Sequence, residues 1–413
     1  MMHNHWLPEF WMTMPFLGLL FAIAILPLIA RQFWHSLKNQ MLVAAFFAIP
    51  VICVCLVHNS HILVTGLEHY LSFVILLGSL FIVSGGIRLS GDLVGTPIAN
   101  MGMLALGAVL ANLIGTTGAS MVLIRPFLAA NNYRKHHIHL PIFFIILVSN
   151  IGGLLTPLGD PPLFLGYLLG VPFFWTLRLF PVWVIALVYL LGIFFLIDAR
   201  SFGNMPERLR REARSDKPVV LKGRRNLFCL AGILVAAFLP PPYREAVMIA
   251  SALISLKVTP RSYHEANGFN FHPILEVAIL FLGIFITMGP ALEILYLRGG
   301  ELGLASPRQF FWATGLFSSL LDNAPTYLTF LTLAQGLGLT GPHINVPEGI
   351  LAAISTGAVF FGAATYIGNA PNLMVQSIAA HKGWKMPSFF GYLLWSGAVL
   401  LPLFFIIESV FFR

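Results

Sequence analysis

Two acidic residues, Asp160 and Asp322, fall deep inside apolar stretches, whereas nearly all of the other carboxylates lie in loops or at the ends of such stretches. A carboxylate at mid-bilayer costs several kcal/mol unless it faces a cavity, a cation or a partner, so both read as functional groups. The plain alternative is an Asp that caps a half-helix, and the two roles are compatible. Oxygen-bearing side chains cluster around these acids: Asn112, Thr116, Thr117, Ser149, Asn150 and Thr156 in the first half, with Asn323, Thr326, Thr365, Asn369 and Asn372 in the second. Hard cations take oxygen ligands from carboxylates, amides, hydroxyls and unwound carbonyls. Burial penalises the charged form of a carboxylate, so a shielded Asp can hold a proton or a metal cation but not comfortably both. Any single Thr or Asn in a span more often bonds a neighbouring helix. Convergence on four interruptions is what makes these residues a candidate ion-binding site, with Asp160 and Asp322 as the metal-facing pair.

The elements that must position them belong to a lipid solvent. The chain has 413 residues, is 58% hydrophobic and 10% charged, and has a mean hydropathy of +0.85, outside the soluble globular range. Apolar runs of about 17 to 25 residues recur, the length a helix needs to cross a bilayer. They are continuously apolar, not alternating, which reads as helices and not as a barrel. Continuous spans are expected near 15–28, 41–57, 71–87, 179–197, 227–239, 246–256, 274–294 and 391–407. Four other segments are interrupted at their centres. The segment 96–128 breaks at Asn112-Leu-Ile-Gly-Thr-Thr-Gly118 and 307–337 at Asp322-Asn-Ala-Pro-Thr326, which reads as two re-entrant hairpins. The spans 140–169 and 349–380 break at Ser149 to Pro162 and at Thr365 to Asn372. Non-helical backbone at membrane depth is tolerated only where protein or a wet cavity surrounds it.

The order of features repeats. Thr156-Pro-Leu-Gly-Asp160 matches Thr365-Tyr-Ile-Gly-Asn369 at a spacing of 209, Asn112 matches Asn323 at 211, and Leu77-Gly78 matches Leu282-Gly283 at 205. This divides the chain into repeats at 1–197 and 227–413, joined by a linker over 198–226 that carries nine Lys or Arg. With the N-terminus outside, 19 of the 24 Lys and Arg collect on the cytoplasmic side, and both termini lie outside, as the positive-inside rule requires. The net charge of +8 is thereby topology and not a nucleic-acid surface. The expected fold is an all-α polytopic membrane protein of about ten transmembrane helices plus two re-entrant hairpins in two inverted-topology repeats.

Other candidates are weaker. Cys53, Cys55 and Cys229 lack metal-site spacing and read as buried apolar side chains. The amino-terminal run has no Lys or Arg ahead of it, so a cleaved signal peptide is not expected. Asp92 and Glu276 read as interfacial. His136, His137 and His139 form one cluster, read as a solvated basic loop with pH sensing as its functional alternative. A His-Glu-x-x-His helix is absent and no His lies at depth, so an intramembrane enzyme is not expected, nor is a cofactor.

At the four interruptions the sequence resembles the ion transporter superfamily, which includes NhaD-type sodium/proton antiporters, citrate and other carboxylate transporters, and arsenite exporters. The resemblance covers nearly the whole chain. It rests on Ser149-Asn150-Ile-Gly-Gly, Thr156-Pro-Leu-Gly-Asp160, Asp322-Asn323-Ala-Pro-Thr326 and Gly368-Asn369-Ala-Pro-Asn372. The Gly-Asp and Asp-Asn-x-Pro elements look most like the sodium/proton antiporter branch, whereas the dicarboxylate branch shows Ser-Asn-Thr at both hairpin tips. The resemblance implies a secondary transporter in a bacterial inner membrane, a homodimer, and sodium and proton as carried ions. Its alternative is cation-coupled transport of citrate or another carboxylate on the same fold.

Overall fold

The computed structural model describes residues 8–91, 94–134, 137–205 and 220–413; Asp92, His136 and the centre of the linker lie outside the described residues. The protein is an all-α polytopic membrane protein. Each half lays down the same series of elements. In the first, α1 (Met14–Ile29), α2 (Leu37–His58) and α3 (His61–Gly85) precede a hairpin, α4 (Pro97–Ala130). An interrupted span follows, made of α5 (His139–Leu147), a 3-10 turn (Ile151–Leu155) and α6 (Pro161–Leu168), and α7 (Phe180–Gly203) closes the half. In the second, α8 (Arg225–Ala236), α9 (Tyr243–Val258), the short α10 (Arg261–Ala266) and α11 (His272–Arg298) lead to a hairpin of α12 (Pro307–Leu320) and α13 (Asn323–Gly336). The interrupted span α14 (Glu348–Phe361) and α15 (Ala370–His381) and the last helix α16 (Phe389–Phe411) complete it. The one sheet among the described residues is a short ribbon, β1 (Arg88–Ser90) antiparallel to β2 (Val220–Lys222).

Seven helices among the described residues are long and apolar enough to cross a bilayer. Large apolar side chains stand exposed on these surfaces, among them Phe46 at 73%, Leu196 at 71% and Leu394 at 75%. Such a surface is stable against acyl chains and not against water.

Local chemistry explains both hairpins. Their first arms begin with the same signal, a hydroxyl cap followed by proline. Thr96 accepts from the Ala99 N–H at 3.3 Å ahead of Pro97. Ser306 forms a full capping box with Gln309 ahead of Pro307. Proline at the first helical position sacrifices a donor that has no partner there anyway. The first hairpin breaks at Gly115 (φ 74°, ψ 156°), a region essentially reserved to glycine that strains an L-residue by ~1–3 kcal/mol. The arms then return together, with Gly95 N–H donating to Ala130 O at 3.1 Å and Asn131 Nδ2 to Asn100 Oδ1 at 2.7 Å. In the second hairpin the break falls at Leu321 and Asp322, which are extended.

The halves interlock. The arm α13 packs on α6 of the opposite half, α15 packs on α4, and α11 packs on α2 and α3. The breaks in all four interrupted elements therefore meet near the middle of the molecule. One boundary differs from the sequence reading. The helix α7 runs on to Gly203, so Asp198 is not the first residue of a solvated linker but a buried residue of a helix.

Candidate functional site

Asp160 is the residue on which the interrupted elements converge. It ends the break in the first interrupted span and is 1% exposed, and Pro161 starts α6 behind it. Its Oδ1 accepts from Thr116 Oγ1 at 2.8 Å and Asn369 Nδ2 at 3.0 Å, and its Oδ2 from Asn323 Nδ2 at 2.6 Å. Thr116 opens the second arm of α4, Asn323 opens α13 and Asn369 precedes α15. The carboxylate thus faces the amino-terminal ends of half-helices from both halves of the chain. Those ends carry partial positive charge, and with three side-chain donors they hold an anion where no Lys, Arg or His touches it among the described residues.

A second layer of amides fixes these donors. Asn369 Nδ2 also lies 3.2 Å from both Ser149 O and Asn150 Oδ1, and Asn150 Nδ2 donates to Asn372 Oδ1 at 2.7 Å and to Ile145 O at 2.8 Å. Asn372 Nδ2 in turn donates to Gly362 O and Thr365 O at 2.8 and 2.9 Å. Ser149 Oγ pairs with Ser120 Oγ at 2.8 Å. One atom stands out. Asn323 Oδ1 is buried beside Asp160 with no hydrogen-bond partner among the described residues, and an unmatched buried acceptor costs ~1–3 kcal/mol.

The remaining sequence candidates have other positions. Asn112 takes the Leu155 N–H at 2.8 Å on its Oδ1, and Thr156 Oγ1 donates to Asn112 O at 2.5 Å, so this pair locks the first hairpin to the first broken span. Thr365 Oγ1 donates to Ser319 O at 2.6 Å and does the same for the second. Thr326 Oγ1 bonds Asp322 O within its own helix at 2.9 Å. Asp322 caps α13 by accepting the Ala324 N–H at 3.0 Å and does not join the Asp160 network. It is only partly buried and lines a recess of about 20 Å³ with Leu20, Ile23, Ile284, Leu321 and Ile367. A second recess of about 20 Å³ lies at the first hairpin tip, lined by Gly115, Thr116, Thr117, Leu158 and Gly159 with Leu80 of α3. Each has room for about one water or one bare cation.

The two tips share their backbone bonding. Thr116 N–H donates to Gly159 O at 2.8 Å and Asn323 N–H to Gly368 O at 3.2 Å. The hydroxyl locks agree, because Thr156 reaches Asn112 O where Thr365 reaches Ser319 O. This register aligns Thr116 with Asn323 and Asn112 with Ser319, at a spacing of 207 instead of the 211 suggested by matching Asn112 to Asn323. Under it Asp322 corresponds to Gly115, while at the broken spans, where Gly159 matches Gly368 at a spacing of 209, Asp160 corresponds to Asn369.

Sequence reading missed one pair of buried acids. Asp198 is fully buried, bonded to Arg134, to His139 Nε2 at 2.9 Å and to Asn100 Nδ2 at 3.1 Å. His139 is 5% exposed, so it is no part of a solvated loop. Glu408, 4% exposed, meets Arg308 at 3.1 Å. Each pair ties the last helix of a half to the base of its hairpin. The signal was present, since Phe194-Phe195-Leu196-Ile197-Asp198 and Phe404-Phe405-Ile406-Ile407-Glu408 are one motif repeated.

Comparison with known proteins adds a family. A family model described as "Putative citrate transport" matches residues 5–412. An uncharacterized transporter of Mycobacterium bovis and one of Mycobacterium tuberculosis are each 26% identical over 380 residues, covering 82% of this chain and 84% of theirs. A 46 kDa membrane protein of Mycobacterium leprae is 25% identical over 257 residues, covering 58% of this chain and 59% of its own.

Proposed function

We infer the function from the premise that this chain belongs to the putative citrate transport family, and we propose that it is a sodium/proton antiporter in which proton and cation compete for Asp160. The protein is a membrane transporter of that family; the ions are our reading. The observation that carries it is the unmatched Asn323 Oδ1 beside a carboxylate that has only neutral donors. Rotating the Asn323 amide would turn its Nδ2 away from Asp160 Oδ2 and bring Oδ1 in. That geometry suits a protonated Asp160, whose O–H then has an acceptor. It equally suits a bare cation held between the carboxylate and the amide oxygen. The geometry observed, with the amide donating, suits the empty carboxylate. One side chain thus serves three occupancy states, and the states exclude one another.

Asp322 acts in this scheme as the second acid, capping α13 beside its own recess. We place the repeats in opposite orientation, the N- and C-termini outside and the protein in a bacterial inner membrane as a homodimer, with alternating exposure of the shared centre coupling the two flows. If the ions compete, the apparent affinity for sodium falls about tenfold for each pH unit below the titration of the site.

A second reading, cation-coupled citrate or carboxylate transport, is favoured by the description of the family. Half-helix amino termini around Asp160 could receive an anion once that acid is neutral or cation-bound. Purified protein in vesicles containing a pH dye separates the readings. Sodium added outside should release protons, and Asp160→Asn and Asp322→Asn should each abolish the signal in folded protein. Counterflow that survives both substitutions refutes the proposal, and flux that appears only with citrate transfers it to the second reading.

A further inference from the structure

Arg125 lies in the last turns of α4, on the side that the charge pattern assigns to the cytoplasm. Its guanidinium makes no hydrogen bond or ion pair with any described residue, and its Nη1 is buried. A buried cationic donor without a partner is costly, and cationic groups in such positions are normally matched. The surroundings do not match it. Its Nη2 lies against Gly268, which is exposed and has φ 56°, close enough that a Cβ there would sit 2.7 Å away. Asn267 pins that loop by donating from Nδ2 to Gly85 O and Ile87 O, both at 2.8 Å. The loop is thus fastened to the end of α3, and the flat face it offers to Arg125 exists only because residue 268 has no side chain.

Among the described residues the nearby charge has the same sign. Lys382, at the end of α15, is held below the ordinary lysine range by partial desolvation of its ammonium and then by the charge of Arg125. Lys385 and His381 flank it in sequence. His381 Nδ1 is taken up by Ser377 O at 2.8 Å. The one acid on α10, Glu265, is engaged by Arg261 at 3.2 Å. Helices α4 and α15 pack on each other with Arg125 and Lys382 near their ends, neither side chain has a counter-charge among the described residues, and the Gly268 beside Arg125 is exposed.

We propose that Arg125 and Lys382 form a binding site for an oxyanion, a carboxylate or a phosphate, where the end of α4 meets the end of α15 and the Gly268 loop. The planar fork of Arg125 suits two oxygens of such a group and Lys382 adds a point charge. The site would be separate from Asp160, and it stands whichever ion Asp160 carries. Because α4 and α15 are interrupted elements, an anion bridging them would favour the arrangement in which their ends stay together.

The test uses the full chain in neutral-detergent micelles, with unfolding followed by tryptophan fluorescence. Citrate, inorganic phosphate and phosphatidylglycerol are titrated separately against chloride or phosphatidylcholine at matched ionic strength. At least one should raise Tm by about 2 °C near ten times its Kd. Response to citrate or phosphate identifies a soluble anion, and response to phosphatidylglycerol alone identifies a lipid headgroup. Arg125→Gln should remove the rise, Arg125→Lys should keep part of it, and Lys382→Gln should weaken the affinity about tenfold. A wild-type Tm indifferent to all three, or a rise unchanged in Arg125→Gln, overturns the site. If Arg125→Gln does not fold, an unchanged affinity in Lys382→Gln overturns it instead.

Discussion

Replacing Asp160 in two ways separates its charge from its hydrogen bonds. Asparagine keeps an oxygen where Thr116 Oγ1 and Asn369 Nδ2 now donate, at 2.8 and 3.0 Å. Its new amide nitrogen would face the Asn323 nitrogen, which now lies 2.6 Å from Oδ2. That conflict resolves when Asn323 rotates and offers its unmatched Oδ1. All three bonds survive and a buried charge is removed, so Asp160→Asn should stay within ~1 kcal/mol of the wild type. Leucine has similar bulk but accepts nothing. The Thr116 hydroxyl and the Asn323 amide then lose a buried acceptor, at ~1–3 kcal/mol each, for a total of ~2–6 kcal/mol, while Asn369 Nδ2 keeps Ser149 O and Asn150 Oδ1. Equilibrium unfolding of the purified variants in micelles reads the difference, and the vesicle assay reads transport, which both should lose. If Asp160→Asn unfolds as readily as Asp160→Leu, the rotation of Asn323 on which the competition depends is not available. If it still exchanges sodium for protons, Asp160 is not the shared group.

Three further outcomes follow from the same geometry. Asn caps a helix about as well as Asp, so Asp322→Asn should leave stability unchanged while Asp322→Ala costs ~1 kcal/mol; the vesicle assay should show both inactive. Asp198→Asn leaves Arg134, 1% exposed, without its counter-charge, and should lower stability by ~3–5 kcal/mol, visible as a fall in Tm and in yield from detergent. Gly115→Ala forces a Cβ into φ 74° and to 3.3 Å from Leu158 O, costing ~1–3 kcal/mol and weakening the Thr116 to Gly159 bond, which hydrogen exchange at Thr116 would report.

The helices were legible because lipid simplifies the problem. A run such as 391–407 can satisfy its backbone only as a helix, and the structure places α16 over Phe389–Phe411. The breaks were legible for the converse reason, since Gly, Pro and Asn cannot fill the middle of a lipid-facing helix without purpose. What the sequence could not supply was which polar side chain reaches which. Asn112 and Thr365 have the same composition signal as Asn323 and Asn369, yet they clamp backbone while the latter two contact Asp160. That distinction depends on how two distant halves pack. Asp198 was missed because a charge at the end of an apolar run reads as the start of a loop. Only the packing of α4 and the turn at Arg134 around it shows that the helix goes on.

The unequal distribution of acids between the halves has a physical reason. Asp160 and Asn369 occupy matching places at the two broken spans, and they bond each other at 3.0 Å. Two carboxylates at that distance could not both ionise; they would share one proton, and neither could take a cation without the other interfering. A neutral amide on one side avoids this and supplies a donor that can hold the empty carboxylate. The second acid stands instead at the other kind of interruption, as the cap of α13, where its counterpart is Gly115. There it lies one residue from Asn323, the side chain that touches Asp160. A proton or cation arriving at Asp322 changes the charge at the start of α13 and hence the field on the Asn323 amide. In the antiport we propose, the two acids would therefore be occupied separately and still sense each other.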